Sequence, residues 1–431
     1  MARPARRPRR QAQIARLFLA VVGAALCACA SVGDPPGGPP DVAPPRIISI
    51  QPESGAVVPN FDDDITIQFD ETIEEQATGG RSGEGLAGLE QQILLSPVAG
   101  RVNVDWHRSR ITVKPKEGWK RRVYRLEVLP GFSDLRRNRF DSSAVVLFSR
   151  GPAIGHARIG GIALKWVEQS ILLRALIEAV PLPDSVGYLT MADSGGQFNI
   201  DNLQPGRYIV YATADANNDR RRGLREAYDS VEVTVDSSAN VALYTFPHDT
   251  VPPRPRTATF VDSVTIRVEM SQPLDPTKSL DTTNLRVLAL PDSTPVAIAR
   301  VLTQRQFDSL TAAARAKADS EAGAKRDSVP RDSVRVRRPE PSGRPTEPSD
   351  RPRVDTSLVR QLLARRPVPT DKLVITVVSP LKPDTRYAVQ ILGATNLIGK
   401  TGDGTVSFTV PKPTPRDSTK TDSTRTPPPR E

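Results

Sequence analysis

Short runs in which apolar and polar residues alternate recur along most of the chain. ITIQF sets Ile65, Ile67 and Phe69 on one face, and VNVDW does the same with Val102, Val104 and Trp106. ITV at Ile111–Val113, YRLEV at Tyr124–Val128 and VVLF at Val145–Phe148 continue the rhythm. A period of two is what a strand shows when one face is buried and the other is wet. Gly, Pro, Asn and Asp punctuate the runs, which predicts short antiparallel strands packed as a sandwich. A second set follows: IGGIALKW (Ile159–Trp166), SILLRALI (Ser170–Ile177), GYLTM, and SVEVTV. Between them, Pro205-Gly206 suits a type II turn that feeds the strand carrying Tyr208 and Val210.

The end of the chain repeats the beginning. Ile111-Thr112-Val113 aligns with Ile375-Thr376-Val377, while Tyr124, Leu126 and Val128 align with Tyr387, Val389 and Ile391. Phe148 aligns with Phe408. The openings agree too: VAPPR then DITIQF in the first copy, TVPPR (Thr250–Arg254) then SVTIRVEM in the second. An internal repeat of one domain type follows. The predicted fold is all-β: tandem antiparallel sandwiches over residues 46–151, 155–249 and 252–411. An insert, 304–369, interrupts the last. Its QFDSLTAAARAKADSEAGAK and SLVRQLLARR stretches favour helix, and the Pro-, Asp-, Ser- and Arg-rich tract between them is expected to be disordered. The tail 412–431 is expected to behave likewise.

The residues carry two family resemblances. The opening PPRIISIQPESGAVVPNFDDDITIQFDETI resembles the bacterial Ig-like domain of the SbsA type. Pro52-Glu53-Ser54-Gly55 fits its turn, Ile65, Ile67, Phe69 and Glu71 its first long strand, and Tyr124, Leu126 and Val128 a later one. The second copy departs from the pattern, with VEMSQPLD where the first has QFDETIEE. GGQFNIDNLQPGRYIVYATAD (Gly195–Asp215) resembles the prealbumin-like fold of carboxypeptidase-regulatory domains, so the order implied is Ig-like, prealbumin-like, Ig-like.

Composition adds location. Prolines number 41 and aromatics make up only 5%, as expected of modules joined by extended connectors. The formal net charge is +10, but the excess lies in the first sixteen residues and in the insert, with no basic helix or aromatic–basic platform in the strand-rich parts. Nucleic acid is therefore not an expected partner. Residues 1–16 hold several arginines and no acid, and LFLAVVGAAL (Leu17–Leu26) follows. Ten helical residues rise about 15 Å, half a bilayer core. This pattern reads as a secretory signal over 1–28. Leu26-Cys27-Ala28-Cys29 then resembles a bacterial lipobox, which implies cleavage before Cys29, lipidation of its sulfur and an anchor in the membrane. Cys27, the chain's other cysteine, would leave with the signal. Ala30 next to the acceptor implies, by the same resemblance, transfer to the outer membrane of the cell envelope, on its periplasmic or its surface face. Residues 29–45, rich in Pro and Gly, form a tether.

Candidate chemistry is sparse. His107, His156 and His248 fall in different segments, and no metalloprotease, nucleophile-elbow or phosphate-loop motif occurs. An enzyme is not expected, and no resident cofactor is. Asp215, Asn217, Asp219 and Glu226 occupy offsets 1, 3, 5 and 12 of a calcium-loop pattern, but Arg220 stands where that pattern needs Gly. Calcium and a polar hairpin loop both fit these residues. Asp62, Asp63, Asp64, Asp70 and Glu71 are a second acidic group, more in keeping with a soluble strand edge. The expected role is a structural or adhesive display or protein-binding module, with the membrane as partner through its anchor and no further partner named among envelope proteins and glycans. The alternative is a carbohydrate-binding or hydrolase-accessory protein, for which Trp119 with a neighbouring Tyr would need to form an exposed flat patch.

Overall fold

The computed structural model describes residues 40–75, 88–223, 225–312 and 356–412. Residues 1–39, 76–87, 224, 313–355 and 413–431, which include the expected signal, Cys27, Cys29, most of the expected tether, the centre of the insert and the tail, lie outside them. The chain is all-β, in three successive two-sheet sandwiches.

The first is built from β1 (Ile47–Gln51), β2 (Ile65–Phe69), β3 (Ile93–Ser96), β4 (Val102–His107), β5 (Arg110–Pro115), β6 (Val123–Val128) and β7 (Ala144–Ser149). One sheet runs β1-β2-β5-β4 and the other β3-β6-β7. Alternation along β2 buries Ile65, Ile67 and Phe69. They meet Tyr124, Leu126 and Phe148 of the facing sheet. Trp119 stands edge-on to Tyr124 with ring centroids 4.8 Å apart, and Tyr124 stacks on Phe148 at 5.5 Å. Gly55 closes the Pro52–Gly55 turn at φ +88°, a conformation only glycine takes without strain, and its N–H donates to Leu147 O at 2.7 Å.

The second comprises β8 (Ala157–Lys165), β9 (Ser170–Ile171), β10 (Leu176–Pro181), β11 (Tyr188–Met191), β12 (Gln197–Leu203), β13 (Gly206–Thr213), β14 (Tyr228–Val235) and β15 (Ser238–Thr245). One sheet has the order β11-β10-β13-β14; the other has β12-β8-β15, with β9 paired to β8. β8 and β15 run parallel, and Gly161 lets them approach: a Cβ there would fall 2.2 Å from Val241 O. The stretch Ser170–Ile177 is not the single strand its apolar run predicts. It breaks at Leu173 and Arg174, Arg174 taking φ +53°, and its halves join opposite sheets. The crossing buries Leu172 and leaves Leu173 exposed.

The third contains β16 (Pro255–Asp262), β17 (Thr265–Leu274), β18 (Leu285–Ala289), β19 (Thr294–Val296), β20 (Ile298–Thr303), β21 (Thr370–Val377), β22 (Arg386–Thr395) and β23 (Thr401–Thr409). Its sheets, β16-β17-β21-β20 and β19-β18-β22-β23, repeat the first sandwich strand for strand, with β19 added at an edge. The register repeats as well. Ile67 faces Ile111 and Thr66 faces Thr112; Ile266 faces Ile375 and Thr265 faces Thr376. Tyr387 stacks on Phe408, and its hydroxyl accepts the Lys382 N–H as Tyr124 accepts that of Lys120.

Residues 304–369 occupy the place where residues 108–109 turn from β4 to β5 in the first copy. The insert opens with a helical segment over 304–312 and ends with α1 (Thr356–Ala364). Nine residues are too few for a stable isolated helix. Packing holds this one: Val359, Leu362 and Leu363, at helical spacing, cover Ile162, Leu164 and Tyr244 of the second sandwich. The Tyr244 hydroxyl donates to Leu362 O at 2.9 Å and Trp166 Nε1 donates to Pro367 O at 3.1 Å, satisfying carbonyls at the helix end. Arg366 lies 4.2 Å over the Tyr244 ring. A piece of the third sandwich thus clasps the second.

Candidate functional site

The loop joining β13 to β14 brings Asp215, Asn217, Asp219 and Glu226 into one self-bonded turn. Asp215 Oδ1 accepts the Asp219 N–H at 3.0 Å, and its Oδ2 accepts the Arg220 N–H at 3.2 Å. Asn217 Oδ1 accepts the Asp219 N–H, and Asp219 Oδ1 accepts the Arg221 N–H. Glu226 accepts the N–H groups of Ala216 and Gly223. Arg220, at the offset where a calcium loop carries Gly, nonetheless adopts the left-handed conformation at φ +58°. Its guanidinium turns back to pair with Asp215 at 3.3 Å, with both side chains almost wholly buried. The loop therefore carries its own cation among these acids. Burial pushes the Asp215 carboxyl up, opposed by Arg220, and pushes the Arg220 guanidinium down, opposed by Asp215.

Arg220 also reaches the first sandwich, where Nη2 donates to Gln91 O at 2.9 Å. Two more hydrogen bonds cross this junction. Leu189 N donates to Ser96 Oγ at 3.0 Å. Thr190 Oγ1 donates to Glu127 Oε2 at 2.8 Å, and the same carboxylate pairs with Arg125 at 2.9 Å. Burial pushes Glu127 up, opposed by Arg125 and the Thr190 hydroxyl. Beside these contacts a cleft of about 630 Å³ opens between the two sandwiches, walled by Val98, Val102, Val104, Val186 and Leu189.

The five acids of the FDDDITIQFDE stretch do not converge. Asp64 pairs with Lys114, the Asp63 carbonyl accepts the Trp119 N–H, and Asp70 accepts the Arg46 N–H. Glu71 instead meets Asp41 and Asp134, with one oxygen of each within 4.8 Å of the others. Asp134 is buried and already accepts three donors from Arg136 and Asn138. Burial, then the charges of Asp134 and Asp41, push Glu71 up. This grouping draws on three distant segments and leaves no spacing signal in the sequence.

Trp119 is 7% exposed, inside the core of the first sandwich, so it offers no flat patch for a sugar ring. Trp106 and Trp166 are half-buried, each donating its N–H to a backbone carbonyl. His248 is half-buried, stacked 3.7 Å from Tyr228 and 4.2 Å from Phe246. His107 and His156 are exposed.

Residues 41–149 match the family described as bacterial Ig-like domain. No curated protein matches the chain in sequence. Among solved structures, the N-terminal part of the bacterial S-layer protein SbsC shares 12% identity over 38% of this chain, at a TM-score of 0.20. This chain spans only 25% of that protein's length. BcpA, the major pilin subunit of Bacillus cereus, shares 11% identity over 47% of this chain and 70% of its own, at 0.18. A DUF3823 family protein from Bacteroides uniformis shares 9% over 59% of this chain and 100% of its own, at 0.17. Likeness at this level carries no argument about function.

Proposed function

We propose that the chain is a non-catalytic lipoprotein of the cell envelope, anchored through Cys29, whose three sandwiches form a clasped spacer that presents protein-binding surface. The observation that carries this reading is the construction of the two junctions. The conspicuous polar and apolar side chains outside the cores, Glu127 with Thr190, Arg220 with Gln91, and α1 on Tyr244 and Trp166, join one sandwich to the next rather than converge on a reacting centre. A chain so joined holds its modules in fixed relation, which suits display or spacing. The Arg-rich start, short apolar run and Leu26–Cys29 motif support the anchor.

The test is metabolic labelling with a palmitate analogue, followed by membrane fractionation of the wild type and Cys29→Ala. The wild type should carry label and sediment with membranes, and the variant should do neither. Membrane retention of Cys29→Ala, or an unlabelled wild type, overturns the anchor.

A further inference from the structure

We propose that the cleft between the first and second sandwiches binds an acidic segment of polypeptide in extended form. This deepens the protein-binding reading above and rests on it. Three observations converge on the cleft, and each is independent of the others.

The first is charge. Five basic residues line the cleft against three acidic ones. Arg220 is neutralised by Asp215, and Arg222 lies 3.6 Å over the ring of Tyr211, close enough to Glu178 to counter that carboxyl's burial. Arg101 and Lys116 on one wall and Arg221 on the other are exposed and have no ion-pair partner among the described residues. Cations on facing walls of a concave surface focus a positive potential that draws an anionic ligand between them.

The second is an unmet donor. Arg220 is 7% exposed and lines the cleft, yet its Nε–H is buried with no acceptor among the described residues. A buried donor of this kind costs free energy until an acceptor oxygen meets it. A carboxylate supplies that oxygen.

The third is shape. The volume, about 630 Å³, falls within the range of ligand sites, which often lie at junctions between domains. Its apolar lining includes Val102 and Val104, contributed by β4. That strand is the outer member of its sheet and pairs with β5 on one side only. An outer strand offers backbone groups to an added strand, while valines at alternate positions receive its apolar side chains. Acidic residues at the intervening positions of the ligand then face the basic walls.

The experiment is fluorescence anisotropy with the full chain in detergent micelles and a labelled acetyl-(Glu-Val)4-amide probe. Acetyl-(Lys-Val)4-amide and free glutamate serve as comparators. The acidic peptide should bind, the basic peptide should not, and free glutamate should compete only weakly. The affinity should fall as salt is raised, and fall roughly tenfold or more in the exposed double variant Arg101→Glu/Arg221→Glu. Equal binding of both peptides, no binding of the acidic one, or full affinity in the double variant overturns the proposal. Circular dichroism of the variant separates lost binding from lost folding. The readout concerns the cleft alone, so running it on Cys29→Ala as well keeps a failure of the anchor distinct from a failure of the site.

Discussion

Replacing Leu363 with Asp tests whether α1 clasps the second sandwich to the third. Leu363 is 7% exposed and packs with Val359 against Ile162, Leu164 and Tyr244. Full burial of a leucine side chain is worth about 1.5–3 kcal/mol, and a carboxylate placed there brings a desolvation cost instead of a gain. A loss of about 2–3 kcal/mol is a factor of roughly 30–150 in the docking equilibrium. Nine residues have little helical stability of their own, so undocking and melting of α1 should coincide. Hydrogen exchange is the direct assay. Amides of residues 358–364 should lose protection in Leu363→Asp, while those of β8 and β21 keep theirs. Dye pairs placed on exposed positions of the second and third sandwiches should report a broader distance distribution. If the helix amides stay protected and the distances stay narrow, the contacts with Tyr244 and Trp166 suffice without the apolar face, and the reasoning fails.

Three other outcomes follow from the same geometry. Glu127 is held above its ordinary value of 4.5, so the folded chain favours its protonated form. Its contribution is full below about pH 4.5 and is lost as the pH rises through the raised value. The melting temperature of the wild type, measured relative to that of Glu127→Gln, should therefore fall as the pH rises above about 4.5, and a relative rise would contradict the buried placement. Arg220→Gly removes the loop's internal cation and restores the glycine of the calcium pattern. Thermal shift should show calcium stabilising this variant and leaving the wild type unchanged; calcium stabilisation of the wild type would refute the role given to the guanidinium. Trp119→Ala should cost about 3–5 kcal/mol in chemical denaturation of the first sandwich, as a buried aromatic does, and a near-neutral result would put Trp119 outside the core.

Alternation made β2, β4 and β5 legible because each buries one face more than the other; β6 and β7 alternate in sequence too, yet β6 is buried at all six positions and β7 at its last four. The repeat was legible down to register: aligning Thr66 with Thr265 and Thr112 with Thr376 gives the pairs that face each other in both sandwiches. The break between β9 and β10 was not, since no Gly or Pro marks Leu173 and Arg174. A helix over Ser357–Arg366 could be read from its 3.6-residue spacing, but not its seat, since Tyr244 and Trp166 are more than a hundred residues away. The calcium-like spacing drew attention to the β13–β14 loop, but only three dimensions reveal that Arg220 turns inward and crosses to Gln91. Trp119 reads equally as platform or core from its neighbours in sequence, and packing against Phe61, Tyr124 and Phe148 decides it.

The insert leaves the third sandwich at the end of β20 and returns at the start of β21, two strands that lie side by side. Under tension between the ends of the chain, release of α1 would therefore add no contour length, because the whole excursion starts and finishes at one point on the load path. What it would change is bending rigidity at the short connection between β15 and β16, so a pulled molecule would grow more compliant in angle before it grew any longer.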